Sequence, residues 1–139
     1  MTDSSGPGDA ALGDGHRPIV VLLIDDHAFI GAVVSRMLAG ERDIEFHHCL
    51  SALDAVDTAA RVAPTIILQD LVMPDMDGLD VLAALRADAR TAATPVIIFS
   101  ANDDAQDRAR AKAAGADGYL VKVPKKPELV ACIRSTSRR

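Results

Sequence analysis

The sequence predicts a doubly wound parallel α/β sheet, on three observations. Short apolar runs alternate with helix-period segments five times between residues 18 and 137. The central runs are unbroken, as expected of strands covered on both faces. Polar residues that could do chemistry follow the runs at their carboxyl ends, the edge of a parallel sheet where ligands bind. At 139 residues, 49% of them apolar, the chain suits one domain with a core of Val, Ile, Leu and Ala. Its few aromatics are Phe29, Phe46, Phe99 and Tyr119.

Residues 1–17 are rich in Gly, Ser and Asp and lack apolar periodicity, so they read as a disordered leader. The domain is expected over 18–137. Residues 19–24 are the first strand. Residues 27–39 place Phe29, Ile30, Val33, Val34, Met37 and Leu38 at helical spacing, with Gly40 as the stop. Residues 44–48 form a shorter, more polar strand suited to an edge. Residues 51–62 read as a helix with Ser51 as N-cap and Asp54 three residues on, close to a capping box, and Pro64 follows its end. Residues 65–69 are the third strand. Residues 79–89 form a helix with Leu79, Leu82 and Leu85 inward, and 95–99 the fourth strand. Residues 103–114 are an alanine-rich helix with Asn102 or Asp103 as cap and Gly115 as stop. Residues 117–121 are the fifth strand. The last helix runs over 127–137, with Pro127 suited to its first turn. Five βα units in series give a parallel sheet with helices on both faces.

The formal charge of −5 argues against nucleic-acid binding by this domain, because phosphate backbones need a basic surface. Arg134, Arg138 and Arg139 cluster locally and read as a solvated helix end or the start of a linker. Cys49 and Cys132 lie in no metal-ligand spacing and read as free thiols of a reducing cytoplasm. No apolar stretch approaches the roughly 20 residues that span a bilayer, and no signal pattern opens the chain, so neither a membrane partner nor export is expected.

Asp70 is the most informative residue. It ends the run Ile66-Ile67-Leu68-Gln69 and precedes a Pro/Gly-rich loop, Met73-Pro74 to Asp77-Gly78. Asp25-Asp26 follow the first strand, Ser100 the fourth and Lys122 the fifth. One edge thus gathers three carboxylates, a hydroxyl and an ammonium. Adjacent carboxylates both stay ionised only with a compensating cation, and hard oxygens suit Mg²⁺. A third carboxylate can bind the metal and also act as nucleophile, as in aspartyl-phosphate chemistry. Lys122 supplies fixed charge for phosphoryl oxygens and Ser100 a hydroxyl donor. Taken singly, each residue has a plainer reading: Asp26 as a cap near His27, Asp70 as a turn residue, Ser100 as an N-cap, Lys122 as a solvated charge. His27, His47 and His48 read as structural or solvated, with contact between His27 and the neighbouring acidic pair as the alternative.

Asp25-Asp26, Asp70 with Met73-Pro74 and Asp77-Gly78, Ser100-Ala101, and Tyr119-Leu120-Val121-Lys122 resemble the pattern of response-regulator receiver domains over about residues 18–137. The resemblance implies a flavodoxin-like (βα)5 fold of strand order 2-1-3-4-5. It also implies phosphorylation of Asp70 by a sensor histidine kinase or phosphotransfer protein. Mg²⁺ would be held by Asp26, Asp70 and the backbone carbonyl of Val72, with Asp25 acting through water. More closely, residues 67–74 and 119–124 resemble receivers of Wsp-type diguanylate cyclase regulators. The chain contains no cyclase motif, so it is an isolated receiver or a fragment.

One departure is that Val123 stands between Lys122 and Pro124, where most receivers put proline directly after lysine. A cis bond costs about 2.5–4 kcal/mol before a non-proline residue, so a locally different loop is expected there. For switching, Ser100 would turn to a phosphoryl oxygen and Tyr119 would follow. The face of the fourth helix, fifth strand and fifth helix would then change its output partner or its self-association. Val72 and Asn102 would flank the phosphoryl group, and a valine there predicts slow self-dephosphorylation. The alternatives are a phosphorylation-independent adaptor and a phosphatase of the haloacid-dehalogenase type.

Overall fold

A computed structural model describes residues 17–137; all but Arg17 of the expected leader, with Arg138 and Arg139, lies outside the described residues. The apolar runs form strands β1 (Ile19–Ile24), β2 (Ile44–Cys49), β3 (Ile66–Gln69), β4 (Val96–Ser100) and β5 (Gly118–Val121). Between them lie helices α1 (Ala28–Leu38), α2 (Ala55–Val62), α3 (Gly78–Ala87) and α4 (Ala105–Ala113), and α5 (Lys126–Thr136) follows β5. All pairings are parallel, in the order β2-β1-β3-β4-β5. This is the doubly wound 2-1-3-4-5 sheet that the sequence predicts, with the polar strand β2 at one edge.

Alternation along each strand splits the core into two layers. Ile19, Val21 and Leu23 of β1, Ile66 and Leu68 of β3, and Ile97 and Phe99 of β4 pack with Val34 and Leu38 of α1 and Leu129 and Ile133 of α5. Leu22, Ile24, Ile67, Val96 and Ile98 face the other way, onto Ala55 and Ala59 of α2, Val81, Leu82 and Leu85 of α3, and Ala111 of α4. Each fully buried aliphatic side chain contributes about 1.5–3 kcal/mol. Of the leucines expected inward on α3, Leu82 and Leu85 are fully buried and Leu79 is half-buried at the loop edge.

Some local expectations hold and others are corrected. Ser51 makes no side-chain cap; a 3-10 turn over Ala52–Asp54 precedes α2, because Ala52 is drawn into the core. The cap of α4 is Asp104, whose carboxylate accepts the Gln106 N–H, rather than Asn102 or Asp103. Asp103 is turned outward onto Arg108 instead. Helix α2 ends on Ala63 in the left-handed region (φ 55°), with Pro64 next. Gly115 closes α4 at φ 108°. Arg134, expected at a solvated helix end or the start of a linker, pairs with Asp43 and Glu41 across from α5.

Candidate functional site

Sheet register brings the polar tips together. Ile24 pairs with Gln69 and Ser100 with Val121. The ladders run one step further: the Asp70 N–H bonds the Ile24 carbonyl (2.9 Å) and the Lys122 N–H the Ser100 carbonyl (2.9 Å). Asp25, Asp26, Asp70, Ser100 and Lys122 therefore share one edge.

Asp25 is fully buried. One carboxylate oxygen accepts the Lys122 ammonium at 2.8 Å. The other accepts the His27 amide at 2.9 Å and contacts the His27 ring Nδ1 at 2.8 Å. Burial pushes its pKa up, but the hydrogen bonds from Lys122 and His27 outweigh burial and hold it below the ordinary value. Asp70 differs. Lys122 lies 3.5 Å away, and the Val72 N–H donates to Asp70 Oδ1 at 3.2 Å. Burial dominates these contacts and raises its pKa. Asp26 Oδ1, Asp70 Oδ2 and Gln69 Oε1 are buried among the described residues without a hydrogen-bond partner. Buried polar atoms ordinarily have one, so the two carboxylate oxygens fit a cation between them. The oxygens of the three aspartates and a His27 nitrogen lie within 4.8 Å of one another.

Ser100 is buried, and its Oγ accepts the Asn102 N–H at 3.2 Å. The Tyr119 hydroxyl donates to the Asn102 carbonyl at 2.8 Å, and the Arg108 guanidinium lies 4.7 Å from the Tyr119 ring centre. Val72 is 68% exposed. It lines, with His27, Asp70, Ser100, Asn102 and Lys122, a cleft of about 260 Å³ above the carboxylates.

The loop after β5 differs from its expectation. The Lys122–Val123 peptide is cis although Val123 is not proline. Lys122 nevertheless reaches the site, because its amide is held by Ser100 and its ammonium by Asp25.

Three residues contribute that are not among the expected site residues, though His27 is the alternative there. His27, expected to be structural or solvated, sits at the α1 N-cap without capping it, and its ring turns back onto the aspartates. The hydrogen bond to Asp25, then the charges of Asp26 and Asp25, raise its pKa. Its place directly after two carboxylates was the available signal. His48 holds the Asp25 carbonyl at 2.8 Å, while His47 pairs with Glu45 two residues back on its strand. Gln69, fully buried, donates from its amide to the Gly78 carbonyl and so ties β3 to the start of α3. A Cβ on Gly78 would sit 2.5 Å from the Leu71 backbone, so only glycine permits this closure of the 71–77 loop. Asp26 caps nothing.

The family profile described as "Response regulator receiver domain" matches residues 21–134. The chain is 34% identical over 146 residues to the transcriptional regulatory protein TrcR of Mycobacterium tuberculosis, covering 99% of this chain and 55% of that protein. It is 32% identical over 119 residues to the DNA-binding response regulator MtrA of Mycolicibacterium paratuberculosis, covering 86% and 51%. The chain thus spans about half the length of these relatives. Among solved structures, the Vibrio cholerae chemotaxis protein CheY4 superposes with a TM-score of 0.79 at 25% identity, covering 86% of this chain and 98% of that one. The response regulator domain of Thermotoga maritima CheB gives 0.75 at 27%, covering 86% and 96%. With the acidic tips, the lysine and the 2-1-3-4-5 sheet, these likenesses place the chain in the response regulator receiver domain family.

Proposed function

We propose that this chain is the phosphoacceptor switch of a two-component response regulator, with Asp70 as acceptor. Receiver domains as a family bind Mg²⁺ at an acidic pocket, act as switches rather than enzymes, and engage histidine kinases or phosphotransfer proteins. The observation that carries the residue assignment is Asp70 Oδ2, buried, without a partner, beside the cleft. A carboxylate oxygen of Asp70 attacks the phosphorus of a phosphohistidine, the P–N bond breaks, and the imidazole leaves with the electron pair. Lys122 holds Asp25 more closely than Asp70 (2.8 against 3.5 Å), so Asp70 keeps an oxygen free for attack. Once the phosphoryl group arrives, the ammonium is near enough to neutralise it. Asp26, Asp70 and the Val72 carbonyl would hold Mg²⁺, with Asp25 acting through water; bound there, it supplies positive charge to the phosphoryl oxygens.

The switch runs through Asn102. Its N–H is held by Ser100 Oγ and its carbonyl by Tyr119. Ser100 turning to a phosphoryl oxygen gives up the first bond, shifts the 101–102 segment and moves the second. The change reaches the face of α4, β5 and α5, where output partners or a second copy would bind.

The names of TrcR and MtrA favour a DNA-binding output joined to this domain. The likeness of residues 67–74 and 119–124 to Wsp-type receivers supports a diguanylate cyclase output instead. No helix among the described residues is long and apolar enough to cross a membrane, and Cys49 and Cys132 are free thiols, which supports a cytoplasmic site of action.

The test is incubation with Mg²⁺ and acetyl phosphate or beryllofluoride, read by intact mass and size exclusion, with Asp70→Asn as control. A single adduct that requires Asp70 is expected. No adduct at any Mg²⁺ concentration would point to a phosphorylation-independent adaptor. Slow spontaneous loss of the phosphoryl group, without turnover of generic phosphate esters, would separate the switch from a phosphatase.

A further inference from the structure

We infer that His27 is a ligand of the cation site, so that its imidazole nitrogen tilts the preference of this site from Mg²⁺ toward borderline transition metals such as Ni²⁺ or Zn²⁺. The inference rests on the cation site proposed above and concerns which ions that site prefers.

Geometry comes first. His27 Nδ1 lies 2.8 Å from Asp25 Oδ1, 3.3 Å from Asp26 Oδ1 and 3.9 Å from Asp70 Oδ2. An ion with bonds of about 2.1 Å has neighbouring ligand atoms about 3 Å apart and opposite ones about 4.2 Å apart. The separations from Nδ1 to Asp26 and Asp70 fall between those limits. One ion can therefore touch the nitrogen and both oxygens with side-chain adjustment alone.

The second observation is independent of the acidic cluster itself. Asp70 is 3% exposed, and its Oδ2 has no hydrogen-bond partner, as is also true of Asp26 Oδ1. These are the two oxygens that Nδ1 faces beyond Asp25.

The ring's present partner is Asp25, whose hydrogen bond to Nδ1 a metal would replace. His27 stands at the N-cap of α1 with extended backbone (φ −94°, ψ 106°), yet its side chain makes no cap bond. Half of the side chain is exposed, so it is not core filling. Its one short ring contact is to Asp25, which keeps the Lys122 ammonium and the His27 amide if the ring is drawn to a metal. Ligation through Nδ1 leaves the remaining ring proton on Nε2, and any second proton passes to solvent as the ion enters. Imidazole suits Mn²⁺ through Zn²⁺ increasingly well, whereas carboxylate, carbonyl and water suit Mg²⁺. A site of oxygens alone would bind along the ordinary order of the metals; an added nitrogen steepens it.

The test is calorimetric titration of the whole chain with Mg²⁺, Mn²⁺ and Ni²⁺, for the natural protein, His27→Ala and His27→Gln, with Asp70→Asn marking the site. Imidazole nitrogen NMR shifts on Zn²⁺ addition supply a readout that does not depend on activity. Both His27 variants are expected to lose about tenfold or more in Ni²⁺ affinity at the Asp70-dependent site while Mg²⁺ affinity changes less than about twofold. The His27 nitrogen should shift with Zn²⁺. If Ni²⁺ and Mg²⁺ affinities change by the same factor, or neither changes, or the His27 nitrogen stays put, the ligand assignment is overturned. The beryllofluoride adduct with Mg²⁺, measured on the same variants, separates this from the function. An adduct that survives in His27→Ala leaves the phosphoacceptor reading intact whatever the Ni²⁺ result, whereas its absence in the natural protein removes both.

Discussion

Asp25 and Asp70 lie side by side at two strand tips, both buried, and their protonation is biased in opposite directions. Asp25 has Lys122 and His27; Asp70 has a buried oxygen with nothing on it. For Asp70 the folded value is raised above the ordinary 3.8. Its contribution to stability is then present below the unfolded value and lost as pH rises through the folded one. At neutral pH without metal, the ionised Asp70 destabilises the fold relative to a neutral amide. Asp70→Asn should therefore melt higher than the natural protein in EDTA at pH 7, with the gain shrinking toward zero below about pH 3.8. Saturating Mg²⁺ should reduce or reverse the gap, because a ligand of the folded state stabilises the form that binds it. Thermal scans across pH check both signs. Val72 poses a second residue-level question. Its apolar side chain lines the cleft beside Asp70 and can offer an attacking water no hydrogen bond. Val72→Asn should speed loss of the phosphoryl group by roughly two- to tenfold, the equivalent of one hydrogen bond of about 0.5–1.5 kcal/mol. Following radiolabel loss over time measures it, and an unchanged rate would remove Val72 from the account.

Elements rather than single residues explain why the site holds its shape. Strand β3 carries Asp70, and Gln69 behind it binds the Gly78 carbonyl, so the strand tip and the start of α3 form one clamp. His48 on β2 supports the Asp25 carbonyl from the neighbouring strand, and its ring lies where any side chain at position 31 would fall, 2.0 Å from a Cβ there. Glycine at 31 lets α1 approach the edge strand that closely. Helix α2 ends differently. Ala63 takes the left-handed conformation that glycine adopts without penalty, at φ 55°. Left-handed backbone costs an L-residue about 1–2 kcal/mol, and the greater freedom of glycine in the unfolded chain takes back about 0.4–1. Ala63→Gly should stabilise the protein by roughly 0.5–1 kcal/mol, read as a higher urea midpoint with an unchanged slope. The site is about one strand and a loop away, so Mg²⁺ affinity should not move.

At the scale of the whole molecule, two apolar layers clamp the sheet, and the proposed switch spans only its β4–β5 side. Ser100, Asn102 and Tyr119 make a short relay from the site toward the α4–β5 surface. Inverting a 1:99 equilibrium takes about 5.5 kcal/mol, and hydrogen bonds to a charged phosphoryl group supply about 1.5–3 each. Two or three new contacts suffice, of which Ser100 is one. Ser100→Ala should accept phosphate from acetyl phosphate yet lose most of the change in amide NMR shifts at residues 102–119. A full set of shifts in that variant would mean that the relay bypasses Ser100.

Much of this molecule follows from local sequence. Unbroken runs such as residues 19–24 and 96–99 fit strands buried on two faces, and five short runs, the second of them polar, separated by helical segments leave few arrangements besides a parallel doubly wound sheet. Asp25, Asp26, Asp70, Ser100 and Lys122 were legible because each follows such a run, and parallel strands present their ends at one edge. What tertiary structure decided were the contacts between residues distant in the chain. Lys122 meets Asp25 across 97 positions, His48 meets the Asp25 carbonyl across 23, and Gln69 reaches Gly78 over the loop. Capping moved from Ser51 and Asn102 or Asp103 to other solutions because packing of Ala52 and the pull of Arg108 outweighed weak local preferences. His27 joined the aspartates because the turn between β1 and α1 folds its ring back, a direction that adjacency in sequence does not specify. Periodicity reports which face a residue occupies; it carries no information about which partner waits there.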